Sequence, residues 1–485
     1  MIIVNIMMAF ANWVWGWPLL IMTSIVAVFL SFKLGFFQFT HFVYVMKNTF
    51  GKIFDKGEGE GNIKPFRAAC TALASTLGVG NIAGVSVAIA TGGPGAVFWM
   101  WFIALLGLIV KFSEVSLGLA YRELDPETGV WHGGFYWYVK NGLGDKWKWI
   151  GAVWAIVLAV GMCFAPSIQV NSTMEALKTS FTVNPYVFGI IAAVLMGVVL
   201  LGGLKSVSGF AEIVVPFMAV AYIIVSIFVI VKFGSNIGSA FSLIFSGAFK
   251  GTAAGGGFLG STIALAIRWG LARGIYSNEA GTGTAPLAHS SASVNHPCRQ
   301  GLWGIFEVFF DTIVVCTMTA LVVLCSGVWN NGLTGAALTT SAFIKGFGGN
   351  AVAGTLFVTV IIAFFAFTTA VVNVYYGQVC LQSLGVKKVG TTIYAIIGCV
   401  FGFVGAIGAL QTLWTTFDFF YGVCVVLNLF VLFMLRKQIT ILCKDFVQKI
   451  KTGDWDATSE EAVVRLGLRK EGDATRLYDE AHKNI

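Results

Sequence analysis

Residues 72–84 read Ala72-Leu73-Ala74-Ser75-Thr76-Leu77-Gly78-Val79-Gly80-Asn81-Ile82-Ala83-Gly84, with two glycines and an asparagine in the middle of an apolar stretch of membrane-crossing length. Glycine inside a helix costs about 1 kcal/mol relative to alanine. Gly78 and Gly80 let the helix unwind and expose backbone groups at membrane depth. Such irregular backbone survives only where it lines a cavity or is buried in protein. The stretch therefore reads as a broken spanning helix.

A second odd segment lies five spans later. It reads Ile267-Arg268-Trp269-Gly270-Leu271-Ala272-Arg273-Gly274-Ile275-Tyr276-Ser277-Asn278-Glu279-Ala280-Gly281-Thr282-Gly283. Gly270 and Gly274 are read as its interruption, and two arginines and a glutamate sit at or near membrane depth. Either set of glycines alone is equally a device for close helix packing. Two interrupted helices, each opening a five-helix half, point to an inverted-repeat transporter. In that arrangement a half-helix N-terminus offers N–H groups to a substrate carboxylate. The carbonyls of other half-helices hold a cation or the substrate ammonium.

Composition agrees. The 485 residues are 57% hydrophobic and only 11% charged, against about 25% charged in a soluble domain, and mean hydropathy is +0.82. So few charges cannot cover a soluble surface of this size, and the apolar excess must face lipid. The 15 tryptophans fit interfacial belts. The net charge of +8 is spread between apolar spans and along one tail, which excludes a nucleic-acid reading. The nine cysteines sit mostly in apolar segments without a CxxC pair, and read as buried hydrophobes. The five histidines form no HExxH or paired set, so nothing supports metal hydrolysis or nucleophilic catalysis.

A membrane helix needs about 20 apolar residues. Eleven segments qualify: 13–32, 67–91, 95–120, 150–172, 185–202, 209–232, 258–288, 301–326, 351–382, 390–409 and 412–435. The first lacks a basic n-region and reads as a helix, not a cleaved signal peptide. The expected layout is an extra N-terminal helix over 1–33, then an amphipathic interfacial segment and linker over 34–64. A first inverted repeat over 65–232, an extracellular capping segment over 233–257 and a second repeat over 258–437 follow. A charged cytoplasmic tail fills 438–485. With the connections numbered alternately, 25 of the 31 basic residues fall on one side and four on the other. The positive-inside rule puts the N-terminus outside and the C-terminus in the cytoplasm.

The stretch Gly78–Gly84, the following Ala90-Thr91-Gly92-Gly93-Pro94-Gly95-Ala96, and Ser277–Pro286 resemble the signature of the alanine/glycine:cation symporter family. The resemblance runs from about residue 10 to 440. Thr282 and Thr284 depart from it, standing where a bulkier residue and a serine are expected. The resemblance implies an all-α, LeuT-like fold of ten core helices in a 5+5 inverted repeat, preceded here by one extra span. It also implies symport of alanine, glycine or a similar small amino acid with sodium, less often with protons, and no other cofactor.

It further implies site residues. A sodium ion would sit between segments two and nine, held by the carbonyls of Ala74 and Leu77 and by Thr368 and Thr369, unless those hydroxyls bond their own helix. Asn81 would serve a second cation or hold the break open. The substrate carboxylate would meet the N–H groups of Val79, Gly80 and Asn81 beside Gly78, with Thr76 contributing at the break. Gln169, after the Pro166 kink, would bond the zwitterion, and Trp269, Gly270 and Gly274 would form the opposite wall. Arg273 and Glu279 read as gate or structural charges. Arg268, Glu114, Glu212, Glu307, Asp311 and Asp418 read mostly as structural ion-pair members. The rivals are an uncoupled channel or uniporter, a polytopic enzyme, and a carrier for another substrate.

Overall fold

The structure is a computed structural model that describes residues 2–125, 129–178, 181–250, 263–408 and 411–473. These are almost entirely helical. Helix α1 (Ile2–Val14) and α2 (Trp17–Lys33) form a pair bent by 41°. Pro18, in the first turn of α2, has no N–H to continue the ladder. The first expected segment thus runs across this bend, with Trp13 in α1 and Trp17 opening α2. Two short helices, Phe37–Thr40 and Phe42–Asn48, fill the expected interfacial segment.

Helix α3 (Pro65–Thr76) stops at the glycines, and a π-helical turn over Gly80–Gly84 leads into α4 (Val85–Gly92) at an angle of 52°. Helix α5 (Gly95–Ala120) is followed by a hairpin, unforeseen in the sequence, of β1 (Glu123–Leu124) and β2 (Trp131–His132). Next come α6 (Phe135–Leu143), α7 (Lys148–Lys178, with Pro166 inside), α8 (Pro185–Leu201) and α9 (Gly203–Lys232). The capping segment holds α10 (Ile237–Phe249), and residues 251–262, where it ends and the next span was expected to begin, lie outside the described residues.

The second half opens with α11 (Ile263–Asn278). Helix α12 (Pro297–Val308) continues through a π-helical turn, Phe309–Cys316, into α13 (Thr317–Cys325). Then follow α14 (Gly335–Gly346), α15 (Ala351–Ser383), α16 (Lys388–Ile407), α17 (Gln411–Met434), α18 (Arg436–Thr452) and α19 (Ser459–Arg465). Residues 474–485 of the tail lie outside the described set.

Each of the eleven expected segments overlaps a helix among the described residues, although 67–91 is broken and 258–288 is helical only over 263–278 before the irregular stretch. By length and composition alone, seven described helices can cross a membrane, or nine if each bent pair is one span. The apolar α8 and α11, with 17 and 16 residues, are shorter. In α8, Val187, Ile190, Ile191, Val194 and Val198 are exposed, while Gly189, Ala192, Met196 and Leu200 are buried. This helical spacing with an apolar outer face is a lipid-facing pattern. Helix α7 packs along α15 and α16, and α5 packs along α11 and α12. Helix α14 caps the first break, where Thr339 Oγ1 donates to the carbonyl of Ile82 (3.0 Å) and contacts the Ser86 hydroxyl (2.6 Å).

Gly270 and Gly274 do not interrupt α11, contrary to the sequence reading. A Cβ on Gly270 would lie 2.3 Å from the Ala96 carbonyl oxygen, and one on Gly274 2.4 Å from Ile103 Cγ2. Both glycines allow α11 to press onto α5. The interruption comes later, where Glu279 adopts φ 55° and the chain stays irregular until a short helix at Pro286–His289.

Candidate functional site

The last helical bond of α3 runs from the Leu77 N–H to the Leu73 carbonyl (2.7 Å). Beyond it the helix stops, and the carbonyls of its final turn lose their helical donors. Helix α15 crosses at this point. Thr369 Oγ1 lies 3.0 Å from the carbonyl oxygen of Ala74 and 3.3 Å from that of Leu77. Gly78 permits the approach, because a Cβ there would sit 2.7 Å from Thr369 Oγ1. The neighbouring Thr368 faces away. Its hydroxyl bonds Phe364 and Phe365 of its own helix (3.1 and 3.0 Å) and touches Met218 Sδ of α9 (3.9 Å). Of the threonine pair, the structure brings only Thr369 to the break.

Asn81 holds the break in shape. Its Oδ1 accepts the Gly78 N–H (2.9 Å), and its Nδ2 reaches Asp311 Oδ1 (2.6 Å) and Ser277 Oγ (3.0 Å). Asp311 Oδ2 accepts from Ser277 Oγ and Thr312 Oγ1, both at 2.8 Å. All four side chains are buried. They join the first break, the end of α11 and the π-helical turn after α12. Among the described residues Asp311 has no ion pair, unlike Glu307, which meets Lys111 Nζ (3.8 Å) and His289 Nε2 (2.5 Å).

Glu279 marks the second break. Its Oε1 accepts from Ser75 Oγ (2.8 Å), and its Oε2 from Thr284 Oγ1 (2.6 Å). Thr284, a departure from the family signature, thus keeps the hydroxyl a serine would supply. A small polar cavity of about 20 Å³ opens between the two breaks. Thr76, Gly78 and Gly80 line it from the first break and Tyr276 and Glu279 from the second. Gln169 of α7, Thr369 and Asn373 of α15, and Phe417 and Tyr421 of α17 close it. Gln169 Oε1 is buried without a hydrogen-bond partner among the described residues. A buried polar atom left unpaired costs about 1–3 kcal/mol.

Val79 and Asn81 adjoin this cavity in sequence but do not line it. Trp269 and Arg273 border a separate one, nearer α1. Sequence reasoning missed Ser75, Tyr276, Asn373, Phe417 and Tyr421 as lining residues. Asn373 carried a signal, a lone amide in the apolar run of α15. Among the described residues no three His, Cys, Asp or Glu side chains gather as a metal site.

A helical membrane protein whose polar cavity lies where two interrupted helices meet has a transporter architecture. Its fold is shared with the solved manganese transporter of Eremococcus coleocola, with TM-score 0.53 at 10% identity over 85% of this chain and 95% of that one. Residues 1–460 match the sodium:alanine symporter family, and the chain belongs to that family. It is 39% identical to an uncharacterized transporter, YflA, of Bacillus subtilis, over 90% of this chain and 92% of the relative. It is 38% identical to the sodium/alanine symporter AgcS of Methanococcus maripaludis, over 90% and 95%. The protein is a secondary transporter, multi-pass in the cell membrane.

Proposed function

We propose that the protein carries small neutral amino acids, alanine and glycine, into the cell by sodium-coupled alternating access. One observation carries this reading: the Thr369 hydroxyl and the carbonyls of Ala74 and Leu77 converge at the rim of the polar cavity. Unwound backbone carbonyls with a hydroxyl beside them form a hard-oxygen site for an alkali cation. The ion stitches α15 to the broken helix and so organises the cavity for substrate. Thr368 stands behind this site and supports the helix.

The substrate carboxylate meets the N–H group of Gly80, at the start of the second half-helix. Its ammonium meets Glu279, the one carboxylate lining the cavity among the described residues, and Gln169 Oε1. Phe417, Tyr421 and Tyr276 limit the side chain to a small group. The positive charge of the ion makes uptake electrogenic.

The topology belongs to the same proposal: eleven spans in a LeuT-like 5+5 inverted repeat behind one extra helix, N-terminus outside and C-terminus cytoplasmic. Contacts support the sidedness. On the basic side, Arg122 Nη1 donates to the carbonyls of Ser290 and Ala292 (both 2.9 Å), and its Nη2 to Ser459 Oγ of the tail (2.8 Å). On the other, Lys232 Nζ donates to Gly346 (2.8 Å) and Asn236 Nδ2 to Cys325 (2.8 Å).

A proton-coupled carrier of the same fold is the second reading, and Asp311 favours it. This buried carboxylate, without an ion pair among the described residues, links both breaks and is placed to take up a proton. Uptake of radiolabelled alanine into proteoliposomes separates the two. Accumulation driven by an inward sodium gradient at equal pH supports the first. Accumulation driven by an inward proton gradient in potassium alone selects the second, and no uptake by folded protein rejects the substrate class.

A further inference from the structure

A cavity of about 90 Å³ opens between α1, α11 and α17, on the far side of Tyr276 from the inner cavity. Arg273 and Asp418 both border it. The Arg273 guanidinium carbon lies over two rings, 5.3 Å from the centre of Trp269 and 5.7 Å from that of Tyr276. Among the described residues Arg273 makes no hydrogen bond and no ion pair, and its Nε is buried without a partner. Arginine keeps its charge under all ordinary conditions, and a charge at membrane depth is costly and usually functional.

Asp418 supplies the opposite charge. Its backbone carbonyl accepts the Trp15 indole N–H (2.8 Å), which ties α1 to α17 at the cavity. The Arg273 and Asp418 side chains do not close on each other as an ion pair. A fixed cation and a fixed anion facing one small cavity across a gap match the two charges of an α-amino acid. The carboxylate takes the guanidinium, as such forks bind carboxylates elsewhere, and the ammonium takes Asp418.

Tyr276 borders both cavities. It packs edge-on against Phe417 and Tyr421 (centroids 6.0 and 6.3 Å apart), and Tyr421 stacks on Trp15 (6.2 Å). These rings form the partition between the chambers, and Arg273 rests on one of them. A ligand drawn to Arg273 therefore bears directly on the partition.

We propose that this outer cavity, built in part by the N-terminal helix, is a second subsite that holds a zwitterionic amino acid before it passes the aromatic partition. The identity of the ligand rests on the substrate reading above. The test is equilibrium binding of radiolabelled alanine to the purified full-length protein in sodium, with uptake measured in parallel. Wild type is expected to bind two alanines per chain. Arg273→Gln and Asp418→Asn should each bind one and raise the KM for uptake about tenfold, the loss of one charge-assisted contact, with kcat within about twofold. Gln169→Ala should also bind one at the same alanine concentration, and Gln169→Ala combined with Arg273→Gln none, which assigns the single variant's remaining alanine to the outer cavity. One alanine per wild-type chain overturns the proposal and leaves Arg273 and Asp418 as a latch, with the transport reading intact. Unchanged stoichiometry and KM in both charge variants overturn it as well. No sodium-dependent binding by wild type sinks the substrate reading and this inference together.

Discussion

The Thr369 hydroxyl oxygen lies 3.0 Å from the carbonyl oxygen of Ala74, joining the middle of α15 to the last turn of α3 where that helix stops. The two residues are 295 positions apart. The contact exists because residue 78 has no side chain. Gly78→Ala puts a methyl 2.7 Å from the same hydroxyl. Overpacking of this kind costs about 1–3 kcal/mol, so we expect sodium half-saturation to rise about tenfold or more. Gly80→Ala meets only the Tyr276 ring edge at 3.4 Å and should be far milder. Equal effects from the two, measured as sodium dependence of uptake, would contradict this account of the break.

The inner cavity makes its own prediction. Hydrogen bonds to charged groups contribute about 1.5–3 kcal/mol, so Glu279→Gln and Gln169→Ala should each raise the alanine KM about tenfold to a hundredfold. Glu279→Gln also replaces one acceptor oxygen with a donor and so breaks either the link to Ser75 or that to Thr284, and its kcat should fall too. A KM unchanged in both variants removes these residues from the substrate site.

Asp311 accepts hydrogen bonds from Asn81, Ser277 and Thr312 in a buried cluster. Asp311→Asn keeps the shape but replaces one acceptor oxygen with a donor, leaving a clash with groups that already donate. We expect uptake to drop at least tenfold, from a loss of about 1–3 kcal/mol, with thermal stability lowered as well. Wild-type uptake and stability in this variant would mean that the cluster does not hold the two breaks together.

The sequence showed where the chain first breaks, because Gly78, Gly80 and Asn81 are local features with a local cost, whereas the helix that crosses there was implied only by the family resemblance. It did not separate Thr368 from Thr369. Adjacent residues on a helix point about 100° apart, so only one can face the break, and the choice is set by how α15 docks. Gly270 and Gly274 misled for a related reason: a glycine that bends a helix and one that lets two helices touch look alike in sequence. Asp311 was seen as a charge but not as part of the site. It sits in a π-helical turn, whose extra residue shifts the register that a 3.6-residue period projects. The outer cavity depends on α1 reaching α17, a contact between chain ends that no local pattern announces.

The tail offers a test by pH. Arg465 pairs with both Asp445 (2.7 Å) and Asp456 (2.9 Å), and His296 faces Asp445 at 3.3 Å. Burial holds the His296 imidazole below its ordinary value, with the bond to Asp445 acting the other way. For Asp445, burial works upward, but the bonds from His296 and Arg465 outweigh it and keep the carboxyl below its usual range. The signs agree. A lowered histidine disfavours the docked tail as pH falls below its free value of about 6.5. A lowered carboxylate stabilises docking above its free value of about 3.9 and loses that contribution as pH falls further. A spin label at residue 461 should therefore become more mobile from pH 7.5 to pH 5, and Arg465→Ala should free it already at pH 7.5. A label equally immobile throughout contradicts the pairing.

The central claim is that Thr369, and not its neighbour, completes the sodium site with the carbonyls of Ala74 and Leu77. The direct measurement is alanine uptake by proteoliposomes across a sodium titration, for wild type, Thr368→Ala, Thr369→Ser and Thr369→Ala. The account predicts that Thr369→Ala loses sodium-driven accumulation, Thr369→Ser retains it, and Thr368→Ala shifts sodium half-saturation by less than about threefold, as expected for a hydroxyl bonded to its own helix. Sodium-driven accumulation that survives Thr369→Ala, or that is lost only in Thr368→Ala, would contradict it.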